Sequence, residues 1–320
     1  MTADVSSLGG DLRAPLHPSV GVVVPVHDGE AYLGEALQSL ADQDLAADQV
    51  VVVDDASRDR SVDVARSFQD RLPLEIVRLD AQRGVSAARN AGVARLRTQL
   101  VGFLDADDVW MPTHLERVVE AYQRNGGLIS PAALIWYPDG STRPFHRWLG
   151  LRVPRGRRQL PALLQHNFVF VGSLVPRSDL QAVGGFREPN VGEDWDLWIR
   201  LLARGLRVTQ LHEPTVRYRR HGANTTNSRA RMIPSIVDVL ERAEAELGAR
   251  YEPAVRRSIR RHLAELELEQ RLAAAAAGAG RLDASALPAL LRASPRVSAR
   301  ALVLGLAPRM ARRVSRERSG

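Results

Sequence analysis

From Ser19 to about Leu104 the chain alternates short β-branched runs with helical patterns, and no other feature narrows its fold so far. "VGVVVPV" (Val20–Val26) reads as a buried strand, after which Leu33, Leu37 and Leu40 recur at helical spacing in "EAYLGEALQSLADQ". "QVVVVDD" reads as a second strand and "SVDVARSFQ" as a second helix that Ser57 or Asp59 would cap. "LEIVRL", "SAARNAGVARL" and "LVGFLD" continue the series as strand, helix, strand. Strands separated by helices require right-handed crossovers, so the expected core is a mostly parallel, twisted α/β sheet flanked by helices.

Beyond Trp110 the regularity changes. "PTHLERVVEAYQRN" reads as a helix with proline at its start and Gly126-Gly127 after its end, and "AALIWYPDGSTRPF" as a hairpin turning at Pro138-Asp139-Gly140. An arginine-rich loop, "RVPRGRRQLP", precedes "NFVFVGSLVP", a further strand candidate. "EDWDLWIRLLARG" is an amphipathic helix closing at Gly205, and "LRVTQL" and "TVRYRRH" are two more strand candidates. From about Arg229 the pattern is helical, and the last 25 residues mix arginine with an apolar patch. The expected organisation is a flexible segment 1–19, an α/β domain 20–229, and a helical, arginine-rich region 230–320.

Composition removes several function classes. Cysteine is absent, which excludes disulfides, zinc–thiolate sites and thiol nucleophiles and fits a reducing compartment. Lysine is also absent, so all 44 basic residues are arginine, and neither a P-loop lysine nor a Schiff base is available. The net charge of +7 suits anionic partners such as nucleotide phosphates or an acidic membrane surface. No apolar run reaches the length of a transmembrane helix, and the N-terminus lacks the basic start and apolar stretch of a secretory signal. The expected location is the cytoplasm, with the arginine-rich end suited to the inner face of the membrane.

Ligands of open parallel sheets bind beyond the carboxyl ends of the strands. Three of the strands here end in polar signatures at that rim: Pro25 to Asp28, Asp54-Asp55, and Asp105 to Asp108. No glycine-rich G-x-G-x-x-G follows the first strand, so a dinucleotide dehydrogenase is poorly supported. Three carboxylates within four residues, Asp105, Asp107 and Asp108, repel one another unless a cation sits among them. A hard divalent ion, Mg²⁺ or Mn²⁺, bridges carboxylates to a diphosphate while keeping several waters.

"VVVPVHDGEAYLGEALQSLADQ", "VVVVDDASRD", "RGVSAARNAG", "FLDADD" and "GEDWDLWIRL" resemble, in this order and spacing, the family-two inverting glycosyltransferases with the GT-A fold, across roughly residues 20–223. The chain departs from the family at His27 and Asp28, where an aromatic residue and asparagine are common. The resemblance implies that Pro25, Val26 and Asp28 line a nucleoside pocket and that Asp55 hydrogen-bonds a pyrimidine ring. Asp54 would orient the loop, and Arg89 and Asn90 would face the base or ribose. "DADD" matches the DXD motif, with Asp105 on the ribose or a metal-bound water, Ala106 on the donor and Asp107 on the metal. Asp108 serves the same cluster or caps the next helix. His221 in "YRRHGANTT" would complete the metal or diphosphate site, with Arg219 or Arg220 on phosphate.

For an inverting transfer, one carboxylate takes the acceptor hydroxyl proton from the face opposite the departing diphosphate. The resemblance gives that role to Asp194, supported by Glu193, and leaves Trp195 free to stack on an acceptor sugar while Trp198 is core. The implied partners are a nucleotide-diphosphate sugar, with UDP favoured, and a glycan or lipid-linked acceptor, in the synthesis of cell-surface polysaccharide or glycoconjugate. Two other readings compete: a nucleotidyltransferase that makes nucleotide sugars, and a non-catalytic nucleotide-sugar-binding scaffold. Peripheral membrane contact and a homodimer helix are alternative roles for the C-terminal region. No nucleic-acid motif is present.

Overall fold

The computed structural model describes residues 17–145, 153–187, 191–222, 224 and 229–276. The N-terminal sixteen residues and the arginine-rich end from residue 277 lie outside the described residues, and with them the expectations of a flexible lead-in and of a tail suited to a membrane surface. The chain divides into two compact units. The first comprises the residues through Arg152 together with Val169–Arg187 and Arg204–Arg220; the second comprises Val153–Phe168, Glu188–Ala203 and His221 onward.

The first unit follows the alternation read from the sequence. β1 (Val20–Val26), α1 (Leu33–Ala41), β2 (Gln49–Asp54), α2 (Ser61–Arg66), β3 (Leu74–Arg78), α3 (Val85–Arg95) and β4 (Leu100–Phe103) succeed one another without interruption. β1 pairs in parallel with both β2 and β4, and β2 with β3. β1, all seven residues of which are buried, takes the centre because an apolar run on both faces needs helices on both sides. β5 (Val109–Trp110), α4 (His114–Asn125), β6 (Leu128–Trp136) and β7 (Thr142–Pro144) follow. β6 and β7 form the expected hairpin, its turn closed by the Gly140 N–H to the Tyr137 carbonyl at 2.9 Å.

Several local expectations are corrected. The arginine-rich loop contains a 3₁₀ turn at Gly156–Arg158 and a helix, α5 (Gln159–Leu163). "NFVFVGSLVP" is not a strand along its length: only β8 (Val175–Pro176) pairs, antiparallel to β4, before α6 (Arg177–Ala182) begins. The run is apolar because Phe168, Val169 and Phe170 are buried, while the Ser173 hydroxyl donates to the Phe170 carbonyl at 2.5 Å and holds a turn. After α7 (Glu193–Ala203), the two strand candidates near residue 210 are one strand, β9 (Val208–Arg219), whose pairing with β6 shifts register near Pro131 and Pro214. The two sheets run β3-β2-β1-β4-β8 and β5-β9-β6-β7.

The helix expected to be capped by Ser57 or Asp59 instead has Arg60 at its N-cap, with no side-chain cap bond. Asp59 still supports the turn, accepting the Ser61 N–H at 2.9 Å. The second unit is helical: α5 and α7 are joined by α8 (Arg229–Leu247) and α9 (Glu252–Ala276). Among the described residues no helix is long and apolar enough to cross a membrane.

Candidate active site

At the carboxyl end of the parallel sheet the loops after β1 and β2 are stitched together. The Asp28 N–H donates to Ser57 Oγ at 3.0 Å, and Asp28 Oδ1 accepts the Arg58 N–H at 2.7 Å. The Gly29 N–H donates to Ser61 Oγ, and Glu30 and Arg60 add a further bond from backbone to carboxylate. His27 Nδ1 lies 2.7 Å from the Asp55 carbonyl. Such a staple holds Asp28 (φ 49°) and Ala56 (φ 57°) in the left-handed region, which costs a side-chain-bearing residue about 1 kcal/mol.

The two adjacent aspartates face different tasks. Asp54 is fully buried; Oδ1 accepts the Ser57 N–H at 3.1 Å and Oδ2 lies 3.1 Å from Arg78 Nε, so it orients the loop. Asp55 reaches across to the start of α3, where its two oxygens accept the Arg83 and Gly84 N–H groups, each at 2.7 Å. Each carboxylate oxygen carries two lone pairs, so those bonds leave Asp55 able to accept from a ligand as well.

α3 supplies Arg89 and Asn90. Arg89, 2% exposed, donates to Asp105 Oδ1 at 2.7 Å and lies over the Phe186 ring. Asn90 grips the Phe186 backbone from both sides, donating to its carbonyl at 2.8 Å and accepting its N–H at 2.9 Å. The Gly185 backbone passes so close that an added Cβ would sit 2.4 Å from Asn90 Oδ1. Both residues therefore brace the rim, Arg89 by setting the Asp105 carboxylate and Asn90 by fixing the turn at 185–186.

Asp105 to Asp108 form a tight turn after β4, closed by the Asp108 N–H to the Asp105 carbonyl at 3.0 Å. α4 begins only at His114 with Thr113 at its N-cap, so Asp108 is not the helix cap. Asp108 is 2% exposed and accepts the Arg219 N–H at 3.0 Å. Burial, together with the charges of Asp107 and Asp105, holds its carboxyl well above the usual carboxylate range. Among the described residues no three histidine or acidic side chains form a ready-made metal cage. That donor set still fits Mg²⁺ or Mn²⁺, which take one or two carboxylates and complete their shell with substrate phosphates and water.

The resemblance puts Arg219 or Arg220 on phosphate, and the structure gives the Arg219 guanidinium further partners within the first unit. Its Nε donates to the Asp107 carbonyl at 2.9 Å, and Nη2 meets Glu35 Oε2 at 2.5 Å. Its guanidinium carbon stands 4.2 Å from the Trp136 ring centroid and 5.0 Å from that of Tyr32. The aromatic neighbours and the acidic turn are distant in sequence, so no local signal marks the arrangement.

Glu193, Asp194 and His221 belong to the second unit. Asp194 opens α7, where Oδ1 accepts the Trp195 N–H at 2.7 Å and Oδ2 accepts the Asn167 amide at 3.0 Å. Glu193 is nearly buried. The His221 N–H donates to Asn224 Oδ1 at 2.6 Å. Trp198 is fully buried, as expected for core. Trp195 is 4% exposed, with its indole N–H on the Leu163 carbonyl at 2.8 Å and its ring against His262, so it has no face for a sugar. The first unit thus brings together Pro25, Val26, Asp28, Asp54, Asp55, Arg89, Asn90, Asp105, Ala106 and Asp107, carried by β1 and β2 with the loops that follow them, by α3 and by the turn after β4.

The model of the family described as glycosyl transferase family 2 matches residues 21–183, half of the chain. The chain belongs to that family. It is 26% identical to the putative teichuronic acid biosynthesis glycosyltransferase TuaG of Bacillus subtilis over 63% of this chain and 79% of that protein. Its alignments with curated relatives span from 31% to 79% of those proteins' length. Among solved structures, S. aureus TarS 1-349 in complex with UDP-GlcNAc matches 86% of this chain and 79% of its own, with a TM-score of 0.60 at 18% identity. The mannosyltransferase PcManGT from Pyrobaculum calidifontis, in complex with GDP-Man and Mn²⁺, matches the same shares with a TM-score of 0.60 at 24% identity. The fold of this family 2 glycosyltransferase is the α/β GT-A fold expected from its sequence.

Proposed function

We propose that this family 2 glycosyltransferase moves a sugar, with inversion and with a divalent metal, from a nucleotide-diphosphate sugar to a glycan or lipid-linked acceptor. The observation that carries this reading is the acidic rim: Asp55, Asp105, Asp107 and Asp108 collect at the carboxyl end of one parallel sheet, with Asp108 buried among like charges. A rim of that sign approaches a diphosphate only through a cation. The names of relatives that make bacterial polymers support a role in cell-surface polysaccharide synthesis.

Asp55 accepts the ring N–H of a pyrimidine, which favours UDP. Pro25, Val26 and Asp28 line the nucleoside pocket, and Arg89 keeps Asp105 turned to the ribose side. Asp107 would hold the Mg²⁺ or Mn²⁺; the resemblance alone names His221 as a further ligand. When bound, the ion supplies Lewis acidity at the leaving diphosphate. Asp194 takes the proton from the acceptor hydroxyl as that oxygen attacks the anomeric carbon, and the bond to the diphosphate breaks on the opposite face. Glu193 supports Asp194 from the same turn of α7.

The test is a panel of UDP-, dTDP- and GDP-sugars incubated with the protein and Mn²⁺, scored as nucleoside diphosphate released. Release from one donor that stops with EDTA and in Asp107→Asn is expected. Failure of every donor to bind would overturn the reading.

A further inference from the structure

Residues 163–167 run between two helices of the second unit and are held by both. From α7, the Trp195 indole donates to the Leu163 carbonyl at 2.8 Å. From α9, Arg261 donates to the Gln165 carbonyl and stands 3.2 Å from His166 Nε2, and Ser258 Oγ lies 3.4 Å from the same carbonyl. The Gln165 side chain returns a bond to the Ala254 carbonyl in the first turn of α9. The next residue along, Asn167, donates its amide to Asp194 Oδ2 at 3.0 Å.

We propose that Asn167 is a positioning residue for Asp194, and that Arg261 of α9 fixes Asn167 through the Gln165 carbonyl and the His166 ring. The inference rests on Asp194 being the base. A carboxylate on the first turn of a helix turns about two side-chain torsions, and a base in an in-line displacement must present its oxygen within a narrow arc. Asn167 holds one oxygen and the Trp195 N–H holds the other. The C-terminal helices thereby acquire a task in the reaction although they lie outside the matched family region.

The experiment compares Asn167→Leu, Asn167→Gln, Arg261→Met and Asp194→Asn on the same donor panel with Mn²⁺, alongside calorimetric titration with UDP and Mn²⁺. Asn167→Leu keeps the volume and loses the amide; its kcat should fall about 10- to 100-fold with donor KM nearly unchanged. Asn167→Gln should regain part of that loss, and Arg261→Met should show a smaller fall of the same kind. UDP affinity should not move in any of them. An unchanged kcat in Asn167→Leu, or a fall matched by equal losses of UDP affinity and thermal stability, overturns the proposal. If Asp194→Asn retains turnover, the base assignment itself has failed; if it is inactive while Asn167→Leu is active, only the positioning role has. A double-mutant cycle of Asn167→Leu with Asp194→Asn on thermal unfolding needs no donor, and additive effects there would remove the contact on which the argument stands.

Discussion

Arg219 concentrates several unlike interactions on one guanidinium: a bond to the Asp107 carbonyl, an ion pair with Glu35, and aromatic faces from Trp136 and Tyr32. The ion pair counts for little, because the Glu35 side chain is 52% exposed and water screens it. The Nε bond ties β9 to the acidic turn beside the backbone N–H that Asp108 accepts, and both that bond and the stacking require a planar, forked group. Arg219→Lys keeps the charge and loses the plane. We expect it to cost about 2 kcal/mol of stability and to weaken binding of UDP with Mn²⁺ about tenfold, because the Asp105–Asp108 turn loses its side-chain anchor and keeps only the backbone bond to Asp108. Calorimetry on the variant checks both; full retention of UDP affinity would mean the turn holds its shape unaided. The aspartates of this site were legible in the sequence because carboxylates after buried strands are conspicuous. Arg219 and Asn167 were not, since each gains its meaning from a partner far along the chain.

At the scale of elements, β1 to β4 and the helices between them were readable because two periodicities alternate cleanly and each segment is bounded by polar residues. The run from Phe168 to Pro176 misled for a physical reason: burial selects apolar residues in a turn as readily as in a strand. The packing of α3 on β1 shows what pattern leaves out. Gly92 lies mid-helix, where alanine is ordinarily better by about 1 kcal/mol. An added Cβ would stand 2.4 Å and 2.9 Å from the two γ-methyls of Val23, a side chain buried in β1. Gly92→Ala should therefore destabilise, the clash of about 1–3 kcal/mol outweighing the helix gain. Gly34→Ala in α1 is the control: its nearest neighbour would be Val64 Cγ1 at 3.6 Å, an ordinary contact, so stability should hold or rise. Thermal unfolding of the pair checks the sign. Equal behaviour of the two variants would show that α3 can move away from the sheet at no cost.

For the whole molecule, the sequence indicated a rim, a fold and a helical C-terminal region, but not that each compact unit is assembled from separate pieces of chain. Apolar periodicity reports which face of a segment is buried, never which other segment buries it. The same limit hides buried polar residues, and one of these sets a property of the entire fold. His114 is 1% exposed, lies against Trp110 with ring centroids 4.0 Å apart, and meets Thr215 Oγ1 at 2.9 Å. Burial pushes its pKa down to about 3. Below pH 6.5 the unfolded chain takes up a proton at this histidine that the folded chain refuses, so stability falls as pH drops from about 6.5 toward 3. The slope from this one group approaches about 1.4 kcal/mol per pH unit. Asp108 acts with the opposite sign: its raised pKa lends stability at low pH that is lost as pH climbs above the usual carboxylate range. The two contributions separate by mutation. Between pH 7 and pH 5, His114→Gln should lose about 2 kcal/mol less stability than the parent chain in urea titrations. Parallel curves for the two proteins would mean that His114 can be protonated without leaving the core, and that its burial is not what fixes the acid limit of this fold.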